Sequence, residues 1–258
     1  MIEVVKKRRI KRGWMNLELV DILEDNPTTK TLYFVNEEEK SCAFDYIPGQ
    51  YLTFRFDDLA AKPIVRSYTM SSSPCQKDRI AVTVRQVEDP FVSEFLCQKV
   101  KKGDTLRARG PIGRFVYEPK KDHSHIVMVA GGSGVTPFIS MMREYSPSLG
   151  KEGFPKKMTL FVTFRTDKEL MCWKDIEDLR EVEGVNIVVT LSRQQELPKG
   201  GGFVKGRVTP ELIERCLEGS YGEKTYMTCG PDGLMETVKK HLTSVQVAPE
   251  HIKFESFD

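Results

Sequence analysis

A chain of 258 residues has room for two domains of ordinary size or one large one. With 40 % hydrophobic residues, 29 % charged residues and a formal net charge of +2, the composition is that of a globular chain with no low-complexity segment, and nothing in the charge argues for a nucleic-acid partner. No apolar run has the length of a membrane span, the opening MIEVVKKRRIKR lacks the apolar stretch of a secretory signal, and the six cysteines (42, 75, 97, 172, 216, 229) form no CxxC pair; a cytoplasmic protein with reduced thiols, no metal site and no membrane span is expected.

The basic run Lys6, Lys7, Arg8, Arg9, Lys11 and Arg12 reads as a solvated face or as a docking strip for an acidic partner. From there to about residue 120 the chain alternates short β-like runs with turns. LTFRF (52–56), RIAVTVRQV (79–87) and TLRARG (105–110) have strand length and β-rich patterns, punctuated by Pro48-Gly49, Ser73-Pro74 and Lys102-Gly103-Asp104; only VSEFLCQKV (92–100) reads as helix. Many short strands with one helix predict a closed antiparallel β-barrel.

After residue 120 the rhythm changes to strand, helix, strand. HIVMVA (125–130), MTLFVTF (158–164), VNIVVTL (185–191) and KTYMTC (224–229) are apolar and β-rich, and PFISMMREY, DKELMCWKDIEDLREV, TPELIERCLEG and PDGLMETVKKHLTSV between and after them read as helices. This alternation predicts an α/β domain with a parallel sheet covered on both faces, and such sheets bind ligands at the C-terminal ends of their strands. The chain is therefore read as two domains, an antiparallel β-barrel over 1–119 followed by an α/β parallel-sheet domain over 120–258.

Four loops fall on that one strand-end rim. In VMVAGGSGVTPFISMM, Gly131, Gly132 and Gly134 allow close backbone approach, and Pro137 costs nothing in a first helical turn, where its missing N–H would be unpaired anyway. The loop suits a phosphate at a helix N-terminus, and it also suits an ordinary strand–helix turn. Arg165-Thr166 follows the second strand of this domain and Ser192-Arg193 the third, where a hydroxyl and a guanidinium suit an extra phosphate such as the 2′-phosphate of NADP, or a plain surface arginine. Cys229-Gly230-Pro231 follows the fourth; the turn puts a thiol at the rim, although cysteine is more often a small buried apolar residue. In the barrel half, RSYTMSS (66–72) places Arg66 and Tyr68 on one face of an extended segment and Ser67 and Thr69 on the other.

RSYT, GPIGRF (110–115), GGSGVTP (131–137), TCGPDGLM (228–235) and the tail FESFD (254–258), in this order, resemble the ferredoxin–NADP reductase superfamily over nearly the whole chain, and are similar to the reductase modules of flavohaemoglobins and of aromatic-ring oxygenase reductases. The resemblance implies that the barrel binds FAD and the α/β domain NAD(P). It implies that Arg66 contacts the flavin phosphate, that Tyr68 packs on one face of the isoalloxazine with Ser67 beside it, that Thr69 lies next to flavin N5, and that Val84 and Arg85 line the ribityl chain. Phe91, Val92 and Ser93 resemble the turn that binds the FAD pyrophosphate, although many relatives carry a glycine just before that serine where this chain has Asp89-Pro90. Gly132, Ser133, Gly134 and Thr136 resemble the NAD(P) pyrophosphate loop. Arg165 and Thr166 match the adenosine side, with Ser192 and Arg193 beyond them, and Cys229, Gly230 and Pro231 match the turn beside the nicotinamide. Phe257 resembles the C-terminal aromatic over the other flavin face, and Glu255 the acid near it; Thr69, Cys229, Glu255 and Phe257 are the candidate catalytic residues.

The function so implied is hydride transfer from NAD(P)H to bound FAD, with electrons passed to a separate carrier such as a ferredoxin or an oxygenase component; the missing iron–sulfur cysteines favour a separate carrier. Reduction of diffusible acceptors (ferric chelates or oxygen) and a flavin-binding electron-transfer subunit that does not itself oxidise NAD(P)H are the alternatives. Ser192-Arg193 with Lys205 and Arg207 favours NADPH over NADH, and FMN stands as the alternative to FAD.

Overall fold

The computed structural model describes residues 13–42, 44–87 and 91–257; the basic run at 6–12, the Asp89-Pro90 pair and Asp258 lie outside the described residues. Six strands build the first half: β1 (Trp14–Asn26), β2 (Thr29–Asn36), β3 (Tyr51–Phe56), β4 (Ile64–Thr69), β5 (Ile80–Arg85) and β6 (Thr105–Ile112). They pair antiparallel in the order β4-β3-β6-β1-β2-β5, and a bridge between Met70 and Val82 joins the two ends of the sheet into a barrel. Strand alternation explains the core: Leu52, Phe54 and Phe56 point inward with Leu17, Leu19, Phe34 and Val82, while Arg55, Arg107 and Arg109 face out. A short helix, α1 (Phe91–Glu94), widens into a π-type turn over Phe95–Lys99 and packs Leu96 and Cys97 on that core.

The β1–β2 hairpin escapes the sequence reading. Its register shifts between Leu19 and Asp21 and again between Glu24 and Asn26, and these bulges break the period-2 pattern that would have marked the strand.

The second half runs β7 (His125–Gly131), a 3₁₀ turn (Gly132–Val135), α2 (Thr136–Tyr145), β8 (Lys157–Phe164), α3 (Trp173–Arg180), β9 (Val185–Leu191), β10 (Phe203–Lys205), α4 (Pro210–Cys216), β11 (Lys224–Cys229), α5 (Asp232–Ser244) and β12 (Ile252–Glu255). All strands are parallel, in the order β10-β9-β8-β7-β11-β12. One face packs on Phe138, Met141, Ile176 and Leu179 from α2 and α3, the other on Leu212, Ile213, Val238 and Leu242 from α4 and α5. The order steps outward from β7 in both directions, so the crevice of an open α/β sheet falls between β7 and its neighbours at their C-terminal ends.

One helix is shorter than its sequence predicts. Over 167–182 only Trp173–Arg180 is α-helical; Asp167–Glu169 forms a 3₁₀ turn and Cys172 takes a left-handed conformation with φ +53°. The cause is tertiary. The Asn26 side-chain amide donates to the Leu170 carbonyl at 2.7 Å, and the Cys172 thiol lies buried 3.7 Å from Thr83 Oγ1, so the barrel holds residues 170–172 in a path no helix could follow. The edge strands β10 and β12 are also additions to the sequence reading, at three and four residues too short to carry a pattern.

Candidate functional site

A cleft of about 770 Å³ runs between the barrel and the C-terminal ends of the parallel strands, of a size ordinary for cofactor sites. From the barrel, β4 contributes Arg66, Ser67, Tyr68 and Thr69, and β5 contributes Val84 and Arg85. The start of α1 adds Phe91, Val92 and Ser93. From the parallel sheet come Gly132, Ser133 and Thr136 after β7, Arg165 after β8, Ser192 and Arg193 after β9, and Gly230 and Pro231 after β11. Phe257, beyond β12, joins them from the C-terminal segment and is 45 % exposed.

β4 is an end strand of its sheet order and pairs with β3 in a register that sets Tyr68 opposite Leu52 and Thr69 opposite Tyr51. Tyr68 therefore packs its ring edge-on to Phe54 at 6.1 Å, half-buried, and burial pushes its phenol well above the usual tyrosine range. Arg66 lies on the same side two residues back, exposed, with a guanidinium N–H donated only to the neighbouring Val65 carbonyl. Thr69 is buried at 4 % exposure, and its hydroxyl has no hydrogen-bond partner. Arg85 Nε and Thr163 Oγ1 share that condition and line the same cleft. Buried polar atoms without partners cost free energy. Three of them facing one cavity fit a polar cofactor that supplies the missing donors and acceptors.

On the other wall the strand-end loops interlock through glycine. A Cβ on Gly134 would lie 2.2 Å from the Cys229 carbonyl oxygen, and one on Gly230 would lie 2.9 Å from the Gly131 nitrogen. The ends of β7 and β11 thus touch backbone to backbone. Gly132 has φ +54° and faces the Arg85 guanidinium, whose nearest nitrogen is 3.6 Å from where its Cβ would be. Thr136 Oγ1 donates to the Ser133 carbonyl at 3.0 Å, holding the turn that leads into α2.

Four of the residues singled out in the sequence do not line the cleft. Gly134 lies beneath the loop, where its role is the close approach to Cys229. Thr166 lies off the lining. The sulfur expected at the rim is absent from it: Cys229 is fully buried among the apolar residues beside Met227, and burial with the charge of Glu255 pushes its thiol far up. Glu255 pairs with Cys229 in the β11–β12 register, half-buried, with one carboxylate oxygen unpartnered and a pKa pushed up to about 7 by burial.

Several cleft residues were not foreseen, Thr83, Thr163, Glu169 and Val208 among them. Glu169 comes within 3.8 Å of Arg85, an ion pair between the two halves that no spacing could announce because its segment read as helix. Val208 joins Arg207 in the lining, while Lys205, expected beside Arg207, spends its ammonium on the Gln195 carbonyl at 2.7 Å. Among the described residues no cluster of three or more potential metal ligands occurs, and no helix is long and apolar enough to cross a membrane.

Two family models match the chain, the oxidoreductase FAD-binding domain over residues 17–117 and the oxidoreductase NAD-binding domain over 128–240. The chain is 27 % identical over 239 residues to the ferredoxin reductase component of the 3-ketosteroid-9-alpha-monooxygenase of Rhodococcus rhodochrous, covering 92 % of this chain and 63 % of the relative. It is 26 % identical to the electron transfer component of the 2-halobenzoate 1,2-dioxygenase of Burkholderia cepacia, covering 96 % and 69 %. The chain thus spans about two thirds of the length of these curated relatives. Among solved structures, a ferredoxin–NADP⁺ reductase of Neisseria gonorrhoeae with bound FAD and NADP superposes with TM-score 0.80 at 19 % identity, covering 96 % of this chain and all of that one. The flavohaem-like FAD/NAD-binding domain of the nitric oxide dioxygenase of Vibrio cholerae gives 0.80 at 20 %, covering 95 % and 99 %, and at these identities the likeness is one of fold.

Proposed function

Since the chain belongs to the ferredoxin–NADP reductase superfamily, with an FAD-binding domain followed by a nicotinamide-dinucleotide-binding domain, we propose that it oxidises NAD(P)H and passes the electrons through FAD to a separate protein, a ferredoxin or an oxygenase component. The observation that supports this best is the gathering of Tyr68, the unpartnered Thr69 hydroxyl, the Gly132 turn and the C-terminal Phe257 around one cleft, from both halves of the described chain.

The residues divide the work as follows. Arg66 neutralises phosphate charge, Tyr68 gives the isoalloxazine a flat face, and Thr69 donates its hydroxyl to the ring edge. Ser67, Val84 and Arg85 line the cofactor's chain. The N–H groups of Phe91, Val92 and Ser93 face its pyrophosphate, while the Ser93 hydroxyl already accepts from the Val87 N–H at 3.2 Å. The Gly132-Ser133 turn and Thr136 hold the dinucleotide pyrophosphate at the start of α2. Arg165 would meet the adenosine side, with Thr166 off the lining beside it, Gly230 and Pro231 would shape the nicotinamide pocket from backbone, and Phe257 would cover the flavin on the side where the nicotinamide binds. Cys229, being buried, acts only by fixing that turn, and Glu255 holds a proton at near-neutral pH beside it. When bound, the flavin supplies the redox chemistry, accepting a hydride and releasing electrons; the protein's part is positioning and exclusion of water.

NADPH is the preferred donor. Arg193 and Arg207 both reach the cleft beside Ser192, whose hydroxyl is given to the Phe164 carbonyl at 3.2 Å, so the arginines rather than the serine meet a 2′-phosphate. Six free cysteines, with no disulfide among them, support a cytoplasmic location. The domain boundary is placed at 119/120, in the segment joining β6 to β7.

Anaerobic titration with each pyridine nucleotide tests this reading: flavin absorbance at about stoichiometric NADPH should bleach, and a ferredoxin should restore it. A protein that binds no flavin, or whose flavin stays oxidised under both nucleotides, would defeat the proposal.

A further inference from the structure

The three serines that follow β4, Ser71 to Ser73, are almost completely buried at the contact between the two halves. On the barrel side they are pinned to β5. The Ser71 N–H donates to the Ala81 carbonyl at 2.8 Å, the Ala81 N–H donates to Ser72 Oγ at 2.9 Å, and the Tyr46 hydroxyl donates to the Ser72 carbonyl at 3.0 Å. On the other side one face of α2 grips the same three residues. Ser140 Oγ donates to the Ser72 carbonyl at 2.7 Å, and the Arg143 guanidinium donates to the Ser71 carbonyl at 2.9 Å while its Nε pairs with Asp175 at 2.6 Å. Glu144 accepts from the Ser73 hydroxyl and, at 3.0 Å, from the Cys75 N–H. Positions 140, 143 and 144 are helical neighbours spaced by three and four residues, so this is a single stripe.

The stripe lies on the second half of α2, whose first residue is Thr136 and which follows directly on the 3₁₀ turn carrying Ser133, and the segment it grips begins two residues after Thr69. A helix is a rigid spacer of 1.5 Å per residue. One end of α2 therefore addresses the dinucleotide and the other the strand that carries the flavin contacts.

We propose that Ser140, Arg143 and Glu144 are positioning residues that fix the distance between the nicotinamide and the flavin by clamping residues 71–73 to α2. They touch neither cofactor. The inference rests on the functional reading above and adds to it which contacts hold the two sites in reach. Hydride transfer is steep in distance, and a misplacement of about 1 Å can cost about a hundredfold in rate.

The test is the S140A/E144A double variant, with E144Q as the conservative partner, loaded with FAD. Ser140→Ala leaves the Ser72 carbonyl its bond from Tyr46, and Glu144→Ala leaves the Ser73 hydroxyl its contact with the Cys75 thiol and the Cys75 N–H its bond to Ser73 Oγ, so the double variant orphans no buried group; Glu144→Gln keeps an oxygen that accepts from Ser73 and Cys75. Flavin content, Tm, NADP⁺ affinity, the absorbance change on NADP⁺ binding and the anaerobic stopped-flow bleaching rate at saturating NADPH are compared. The double variant should keep its flavin and bind NADP⁺ within about threefold of wild type, yet bleach at least about tenfold more slowly and give a weakened difference spectrum, with E144Q close to wild type. An unchanged bleaching rate in the double variant, or a fall that only follows lost flavin or lowered Tm, overturns the clamp. Wild-type protein that neither nucleotide bleaches overturns the functional reading and the clamp together.

Discussion

β4 of the barrel offers the cleft side chains, whereas the ends of β7 and β11 offer it backbone. On β4 the atoms that line the cleft belong to Arg66, Ser67, Tyr68 and Thr69, held in register by the ladder to β3. On the parallel sheet the wall is built from Gly132 and Gly230, with Gly134 beneath them, and at Gly134 and Gly230 neighbouring backbone is so close that no Cβ fits. A surface made of side chains is weakened by removing atoms; a surface made of bare backbone is weakened by adding them. Each half should therefore fail under opposite kinds of substitution.

The largest effect is expected for Gly134→Ala. A methyl group 2.2 Å from the Cys229 carbonyl must push β7 and β11 apart, an overpacking that costs about 2–3 kcal/mol or more, read as a lower urea midpoint for the parallel-sheet half and loss of NADP⁺ binding. An unshifted midpoint would break the contrast. Next are Arg66→Ala and Tyr68→Ala. Arg66 is exposed and supports no other residue, so its loss should leave apo-protein Tm nearly unmoved while FAD affinity drops about ten- to a hundredfold, the value of a charge-assisted contact; Tyr68→Ala adds lost packing on Phe54 and lowers both. Third, Arg193→Ala with Arg207→Ala should raise the KM for NADPH about tenfold and leave that for NADH unchanged, and equal changes for both nucleotides would remove the 2′-phosphate from the argument.

The smallest effects concern pH and sharpen the comparison within the parallel sheet itself. Glu255, near the C-terminal strand ends, has its carboxyl raised from 4.5 to about 7 by burial, so its folded state binds the proton more tightly; the stability this gives is complete below about pH 4.5 and is lost as pH rises through 7. His125, at the opposite end of the sheet, is lowered from 6.5 to about 4 by burial and by Lys224 and Lys157, so its contribution is present above about pH 6.5 and lost as pH falls to 4. The two slopes oppose each other between about pH 4.5 and 6.5. The Tm advantage of E255Q over wild type should grow with pH, that of H125Q should grow as pH falls, and parallel curves for the two variants would contradict both assignments.

The difference between the halves also explains what the sequence could reveal. Fully buried parallel strands write themselves as unbroken runs such as HIVMVA and MTLFVTF, and the strand-end rim follows from their alternation with helices. The long β1–β2 hairpin carries its acids 18, 21, 24 and 25 past two bulges and leaves no clean period, and β12 is too short to leave any. RSYT and GGSGVTP were legible because they are local. The burial of the Cys229 sulfur, the Arg85–Glu169 pair and the left-handed Cys172 were not, since each depends on which residues from distant strands arrive beside them.

Cys75 is the one exposed cysteine of the six; four are buried and Cys216 lies between. Its thiol sits 2.8 Å from Ser73 Oγ, and its N–H is one of the groups Glu144 receives. A maleimide dye added to the native protein would thus attach first at the seam between barrel and α2, so that fluorescence from an unmutated chain could follow whether the seam opens as the coenzyme comes and goes.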